Sequence, residues 1–243
     1  MQSLAAPAHV AVIGASGGIG RAFVEALAAD AAVARVHACS RRPIATTGKV
    51  TAHALDLEDE RTIAAAAEAM GEQPLDLVVV ATGVLHDAAG LRPEKTWRHL
   101  DAAQLQRAFA INAIGPALVA KHLLPRLRRD EKAVFAALSA RVGSIEDNRF
   151  GGWYAYRASK AALNQLLKTL AIELARKQPR AVCVGLHPGT TDTDLSRPFQ
   201  ANVPGDKLFS PDFAVARMLT VIDGLGPEDS GGLFAWDGAR IPF

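Results

Sequence analysis

Tyr156 and Lys160 are the residues whose types and spacing most directly imply chemistry. They stand four apart in a segment over 154–177 that reads as a long helix, so the phenol and the ammonium share one helix face. A cation a few ångströms from a phenol of ordinary pKa about 10 favours the phenolate, which brings Tyr156 toward the range useful for moving a proton to or from a carbonyl oxygen. Alone the Tyr-x-x-x-Lys pair is a weak signal, because such pairs also occur on solvated helices.

A second group of residues suits phosphate. Gly14-Ala15-Ser16-Gly17-Gly18-Ile19-Gly20 falls between the β-rich run Val10 to Ile13 and a segment from Ile19 to Ala29 that sets Ile19, Phe23 and Leu27 on one helical face. Backbone N–H groups and a helix N-terminus at that point can meet a pyrophosphate, and glycines let the backbone come close. The spacing departs from the common G-x-G-x-x-G, and a tight turn that binds nothing is the alternative. The next strand, Arg35 to Cys39, ends in Ser40-Arg41-Arg42-Pro43, where an NAD-type domain would carry an acid for the ribose hydroxyls. Arg41, with Arg42 or Arg21 beside it, would pair with a 2′-phosphate, so NADP(H) is expected in preference to NAD(H). The alternative is a solvated basic loop.

Further strands are expected over Val50 to Leu55, Leu75 to Ala81, Lys132 to Ser139, Ala181 to Leu186 and Leu233 to Trp236. Helical patterns occupy Glu58 to Met70, 105–127 with Pro116 and Pro125 as kinks, and 154–177. The unbroken apolar run from Leu75 to Ala81 suits a strand covered on both sheet faces. These elements predict one α/β domain over 1–243, with a doubly wound Rossmann-type parallel sheet of about seven strands and helices on both faces. The richest loop, Asp192 to Pro211, carries Phe199 and Phe209, and long loops are often functional. With Trp153 and Trp97 these aromatics suggest an apolar pocket or, equally, ordinary packing beneath loops.

The 243 residues include 27 Lys plus Arg against 25 Asp plus Glu, a net charge of +2 that gives no reason to expect nucleic-acid binding. With 49% hydrophobic and 21% charged residues, the chain reads as an ordinary globular protein, and disordered, collagenous and disulfide-scaffold classes are excluded. Cys39 and Cys183 sit in apolar stretches without a CxxC, which fits buried free thiols and a cytoplasmic location. No run of ~18 unbroken apolar residues suggests a membrane span. The histidines are scattered without metal-ligand spacing, so no metal is expected, and His187 reads as structural.

Taken in order, these motifs resemble those of the short-chain dehydrogenase/reductase family, over essentially the whole chain, and more narrowly its C-factor-like, carbonyl-reductase-like branch. Gly14-x-x-x-Gly18-x-Gly20 is similar to the family's cofactor loop, with Ser16 and Ile19 inside it, and Asp56-Leu57 to its adenine contact. Asn112 resembles its helix asparagine, and Pro188-Gly189-Thr190-Thr191-Asp192-Thr193 the segment lining the nicotinamide. The resemblance implies Tyr156 as general acid/base and Lys160 as its partner, holding the nicotinamide ribose. It implies Asn112 as anchor of a proton-relay water, Ser139 as the serine polarising the substrate carbonyl, and Thr193 on the carboxamide. Two departures stand out. Val80-Ala81-Thr82-Gly83 replaces Asn-Asn-Ala-Gly, leaving Gly83 for the backbone approach and Thr82 for part of the lost bonding. Ala140 follows Ser139 where the family often has paired serines, with Ser144 in reserve. The activity implied is NADP(H)-dependent reduction of a small aldehyde or ketone to an alcohol by a homodimer or homotetramer. Alternatives are a cofactor-binding signalling or sensor protein, and epimerase-like or lyase chemistry with retained cofactor.

Overall fold

The computed structural model describes residues 1–42 and 44–243, apart from the side chain of Asn202. Pro43, the end of the expected Ser40 to Pro43 turn, lies outside the described residues. The strands are β1 (Ala8–Ile13), β2 (Val33–Ser40), β3 (Val50–Ala54), β4 (Leu77–Val80), β5 (Ala133–Leu138), β6 (Ala181–His187), β7 (Thr190–Thr191), β8 (Leu208–Phe209) and β9 (Leu233–Ala235). Seven of them form one parallel sheet in the order β3-β2-β1-β4-β5-β6-β9, and β7 with β8 makes a separate short ladder. The chain runs outward from β1 to β3, then returns to place β4 against β1 and runs outward the other way. The reversal opens a crevice beyond the carboxyl ends of β1 and β4, where ligands of open α/β sheets sit.

The helices are α1 (Gly18–Ala29), α2 (Glu60–Ala69), α3 (Ala102–Phe109), α4 (Gly115–Leu123), α5 (Tyr154–Lys177) and α6 (Pro211–Gly224). Alternation along the strands divides the core. Val10, Val12, Val134, Val182 and Val184 pack against Phe23 and Leu27 of α1 and Ala214, Met218 and Ile222 of α6. On the opposite face, Ala11, Ile13, Phe135 and Cys183 meet Ile63 of α2, Val119 and Leu123 of α4, and Leu163 and Leu167 of α5. Burial of each such large aliphatic side chain contributes roughly 1.5–3 kcal/mol over exposure. Asp59 and Asp101 cap α2 and α3 with their carboxylates.

Three features differ from the pattern expected. The passage from β2 to β3 is made without a helix among the described residues, leaving Arg41 and Arg42 exposed. Helix α6 follows the long loop, announced by Ser210 as N-cap and Pro211 in the first turn, a start signal read instead as the end of the loop. The stretch over 102–126 is divided beside Pro116 and at Pro125, the latter in a 3-10 turn over Leu124–Arg126, but the break near Pro116 has a form the pattern did not specify. A π-helical turn, Ala110–Ile114, comes first, and Pro116 lies in the first turn of α4, where its missing N–H costs little. By length and composition this stretch could cross a membrane; here 44% of its apolar window is buried within the domain.

Candidate active site

The Gly loop is shaped by contacts that leave no room for side chains. Gly14 has φ +91°, and a Cβ on it would lie 2.8 Å from the Ala81 carbonyl oxygen. A Cβ on Gly20 would come within 2.1 Å of the Gly14 carbonyl oxygen, so the loop closes directly onto the first turn of α1. The N–H groups of Gly14 and Ala15 are held by the Cys39 carbonyl. Gly17 caps α1 with no side-chain bond, leaving its first-turn N–H groups facing the crevice.

That crevice is a cleft of about 620 Å³ whose walls include Gly14, Ser16, Gly18, Ile19, Arg41, Asp56, Leu57, Thr82, Gly83 and Thr193. Arg42 also lines it, whereas Arg21 pairs with Glu25 on the outer face of α1. Leu57 is fixed by close packing on Gly115, where a Cβ would sit 2.6 Å from its own. Thr82 Oγ1 is buried with no partner among the described residues, a hydroxyl left free at the cleft wall. Unfilled N–H groups at a helix start, an orphan hydroxyl and two arginines with no acid at the β2 end fit a phosphorylated dinucleotide. Ala81, directly after β4, and Gly20, in the first turn of α1, are not among the residues lining the cleft. Pro188, Gly189 and Thr191 lie outside the lining; Gly189 faces Phe209 and Trp236, and Thr191 is 4% exposed.

The inner end of the cleft meets α5. A Cβ on Gly83 would be 3.5 Å from both Lys160 Nζ and Asn112 Oδ1, so these two side chains converge on the bare backbone of Gly83. Lys160 Nζ donates to the Leu138 carbonyl at 2.8 Å and lies 5.9 Å from the centre of the Tyr156 ring. Asn112 is fully buried: its Oδ1 accepts from Val84 N–H at 2.8 Å, and its Nδ2 donates to the Val84 carbonyl and to Ser159 Oγ. The asparagine side chain is therefore spent on positioning. Its main-chain carbonyl lacks the usual α-helical donor, because the residue four places on is Pro116.

Electrostatics at the pair differ from the expectation that Lys160 draws the phenol down. Burial dominates both groups, pushing Tyr156 up to about 12 and Lys160 down to about 7. No protein group among the described residues bonds the Tyr156 hydroxyl, which is a free, protonated phenol at neutral pH.

Ser139 turns its side chain toward α5. Residue 139 continues the alternation of β5 onto the α5 face, and its hydroxyl donates to Asn164 Oδ1 at 2.6 Å, only 4% of the residue being exposed. The proton expected for a substrate oxygen is directed into the protein. Ser144, the reserve, accepts from Asp147 N–H. His187 ends β6 on that same face; burial pushes its imidazole down to about 4, so the ring is neutral.

The aromatic residues divide. Trp153 meets Tyr156 edge-on at 6.3 Å and Phe199 at 5.1 Å, and Phe199 meets His86 at 5.8 Å, an arc that walls the site. Phe209 instead packs with Phe213 and Trp236, and Trp97 is largely exposed. Val84, Arg107, Ile111 and Leu195 complete the cleft although their sequence context gives no sign of it. Arg107 bridges Glu58 and Asp87 across its outer part.

The family model for short chain dehydrogenases matches residues 8–204. Among known proteins, the C-signal of Myxococcus xanthus is 42% identical over 144 residues, covering 59% of this chain and 81% of that protein. The 1-hydroxy-2-glutathionyl-2-methyl-3-butene dehydrogenase of a Rhodococcus species is 31% identical over 202 residues, 82% of each chain. The NADPH-bound carbonyl reductase from chicken fatty liver superposes with a TM-score of 0.84 at 27% identity, over 97% of this chain and 98% of that one. With the sheet order, the glycine turn and the Tyr156 and Lys160 pair, these matches lead to one conclusion: the chain belongs to the short-chain dehydrogenase family of oxidoreductases.

Proposed function

We propose that the protein is an NADP(H)-dependent reductase of small aldehydes or ketones, with Tyr156 as the proton donor. The observation that carries this reading is the Tyr156 ring 5.9 Å from Lys160 Nζ, with Lys160 closing on Gly83 in the wall of a cleft suited to a dinucleotide. Gly14, Ser16, Gly18 and Ile19 would hold the pyrophosphate, Arg41 the 2′-phosphate, Asp56 and Leu57 the adenine, with Gly20, Ala81, Thr82, Gly83, Pro188, Gly189, Thr191 and Thr193 shaping the rest. Bound there, a reduced nicotinamide supplies the hydride for the carbonyl carbon.

Tyr156 gives its proton to the carbonyl oxygen as the alkoxide develops. Burial pushes the Tyr156 phenol up to about 12, so it is protonated at the start, as proton donation requires. The phenolate left behind is stabilised by Lys160 in its ammonium form, and the Asn112 carbonyl, without a helical donor, accepts from a water that returns the proton. Ser139 supports Asn164 and α5 instead of touching substrate, and Ala140 offers no hydroxyl in its place. The buried thiols and neutral His187 have no step in this scheme.

The reading is tested by steady-state oxidation of NADPH and NADH with a panel of aldehydes, ketones and quinones. NADPH consumption far exceeding that of NADH supports it; tight NADPH binding without turnover on any carbonyl would overturn it. The latter result belongs to a second reading, a cofactor-binding signalling protein, which the inward-turned Ser139 and the relative named C-signal favour. A homodimer or homotetramer is proposed through the long helical stretches 105–127 and 154–177, where Ile114 and Ile172 are half exposed, and sedimentation measures it.

A further inference from the structure

Helix α5 begins without a cap of its own. Trp153 occupies the N-cap position in the left-handed region (φ 52°, ψ 44°) and makes no side-chain cap bond, an indole having no acceptor. Gly151 and Gly152 before it also have positive φ, so three successive residues share that sign. For a bulky residue such as Trp153 that conformation is strained and persists only where neighbours enforce it.

The enforcing neighbour is Glu94, about sixty residues away in the loop between β4 and α3. Its carbonyl accepts the Trp153 N–H at 2.6 Å. Both of its carboxylate oxygens stand 3.2 Å from the Ala155 N–H, in the first turn of α5. Glu94 is 2% exposed and has no cationic partner among the described residues, so the helix N-terminus is the positive group it faces. A buried carboxylate without a counter-ion is expensive, and the one hydrogen-bond donor it meets among the described residues is the N–H of Ala155, the residue before Tyr156. Tyr156 follows directly, and the Trp153 ring meets it edge-on.

We propose that Glu94 is a positioning residue for Tyr156. Through one carbonyl and one carboxylate it supplies the missing cap of α5, holds Trp153 in its left-handed turn, and so fixes where the phenol stands. The inference rests on the reductase reading for its kinetic effect but not for its structural one.

The test uses the full chain with Glu94→Ala and Glu94→Gln, assayed well below their thermal midpoints. Glu94→Ala should lower kcat for carbonyl reduction on the order of tenfold or more, as small misplacements of a catalytic group do, with the Kd for NADPH within twofold of the parent. Glu94→Gln keeps an oxygen acceptor and should recover most of kcat. Hydrogen exchange should quicken at the amides of 153–157 in Glu94→Ala while the middle of α5 stays protected. Unchanged exchange at 153–157 overturns the proposal, as does undiminished kcat in Glu94→Ala when the parent is active. A parent with no turnover counts against the reductase reading, and the exchange result then decides the role of Glu94 alone.

Discussion

The opposite shifts of Tyr156 and Lys160 predict how reduction depends on pH. Tyr156, pushed up to about 12, stays protonated throughout the working range. Lys160, pushed down to about 7, loses its charge near neutrality. Proton transfer creates a phenolate that only the ammonium form of Lys160 stabilises, so the rate should follow the protonated fraction of the lysine. That fraction is about one half at pH 7, about one tenth at pH 8 and about one hundredth at pH 9, a tenfold loss per unit once the midpoint is passed. The assay is initial-rate NADPH oxidation from pH 6.5 to 9.5 with both reactants below their KM, so that the free enzyme's ionisation is read. Lys160→Met should be slow at every pH, near the alkaline limit of the parent. A parent rate that stays flat to pH 9, or a Lys160→Met variant that keeps the parent's pH profile, refutes the coupling of proton donation to the Lys160 charge.

Tyr156→Phe should abolish turnover while leaving NADPH affinity within about twofold, measured by cofactor fluorescence, because the dinucleotide is held by other residues. Arg41→Ala should raise the Kd for NADPH by roughly 10- to 100-fold and leave that for NADH unchanged, since a charge-assisted bond to phosphate is worth about 1.5–3 kcal/mol. Gly20→Ala puts a methyl 2.1 Å from the Gly14 carbonyl oxygen; a loss of about 2–4 kcal/mol in chemical denaturation is expected, with weaker NADPH binding. His37 is buried against His53 at 3.0 Å, and burial pushes it down to about 4 from an ordinary 6.5. The unfolded chain therefore takes up a proton that the folded one refuses, so stability falls as pH drops from 6.5 to 4; in His37→Leu the slope over that window should be smaller.

What the sequence disclosed and what it did not follow from the range of the forces involved. The strands from Val10 to Ile13 and from Leu77 to Val80, and the run of α5 over 154–177, are set by local periodicity and were legible at once. The glycine turn was legible because a steric requirement reads directly as residue type. The direction of the Ser139 hydroxyl was not, since it depends on strand alternation meeting Asn164 of another element. The opposing shifts at Tyr156 and Lys160 escaped for a related reason: spacing shows that two groups are near, whereas desolvation depends on everything packed around them. Glu94 carried no local mark, because the helix it caps begins about sixty residues downstream.

The π turn at Ala110–Ile114 is the place where this helical stretch can change its length by one residue. It holds one residue more than α-helical winding would, so the residue numbering on either side of it is out of phase by about 100°. Ala108, Asn112, Val119 and Leu123 are all buried on the inward side of this stretch. Removing the extra residue would restore α-helical winding with the faces on both sides left where they are, and would cost only the local backbone geometry that presents Asn112 to Val84 and Ser159. Homologous chains that differ by one residue here should therefore differ at this turn and lose the Asn112 contacts with it.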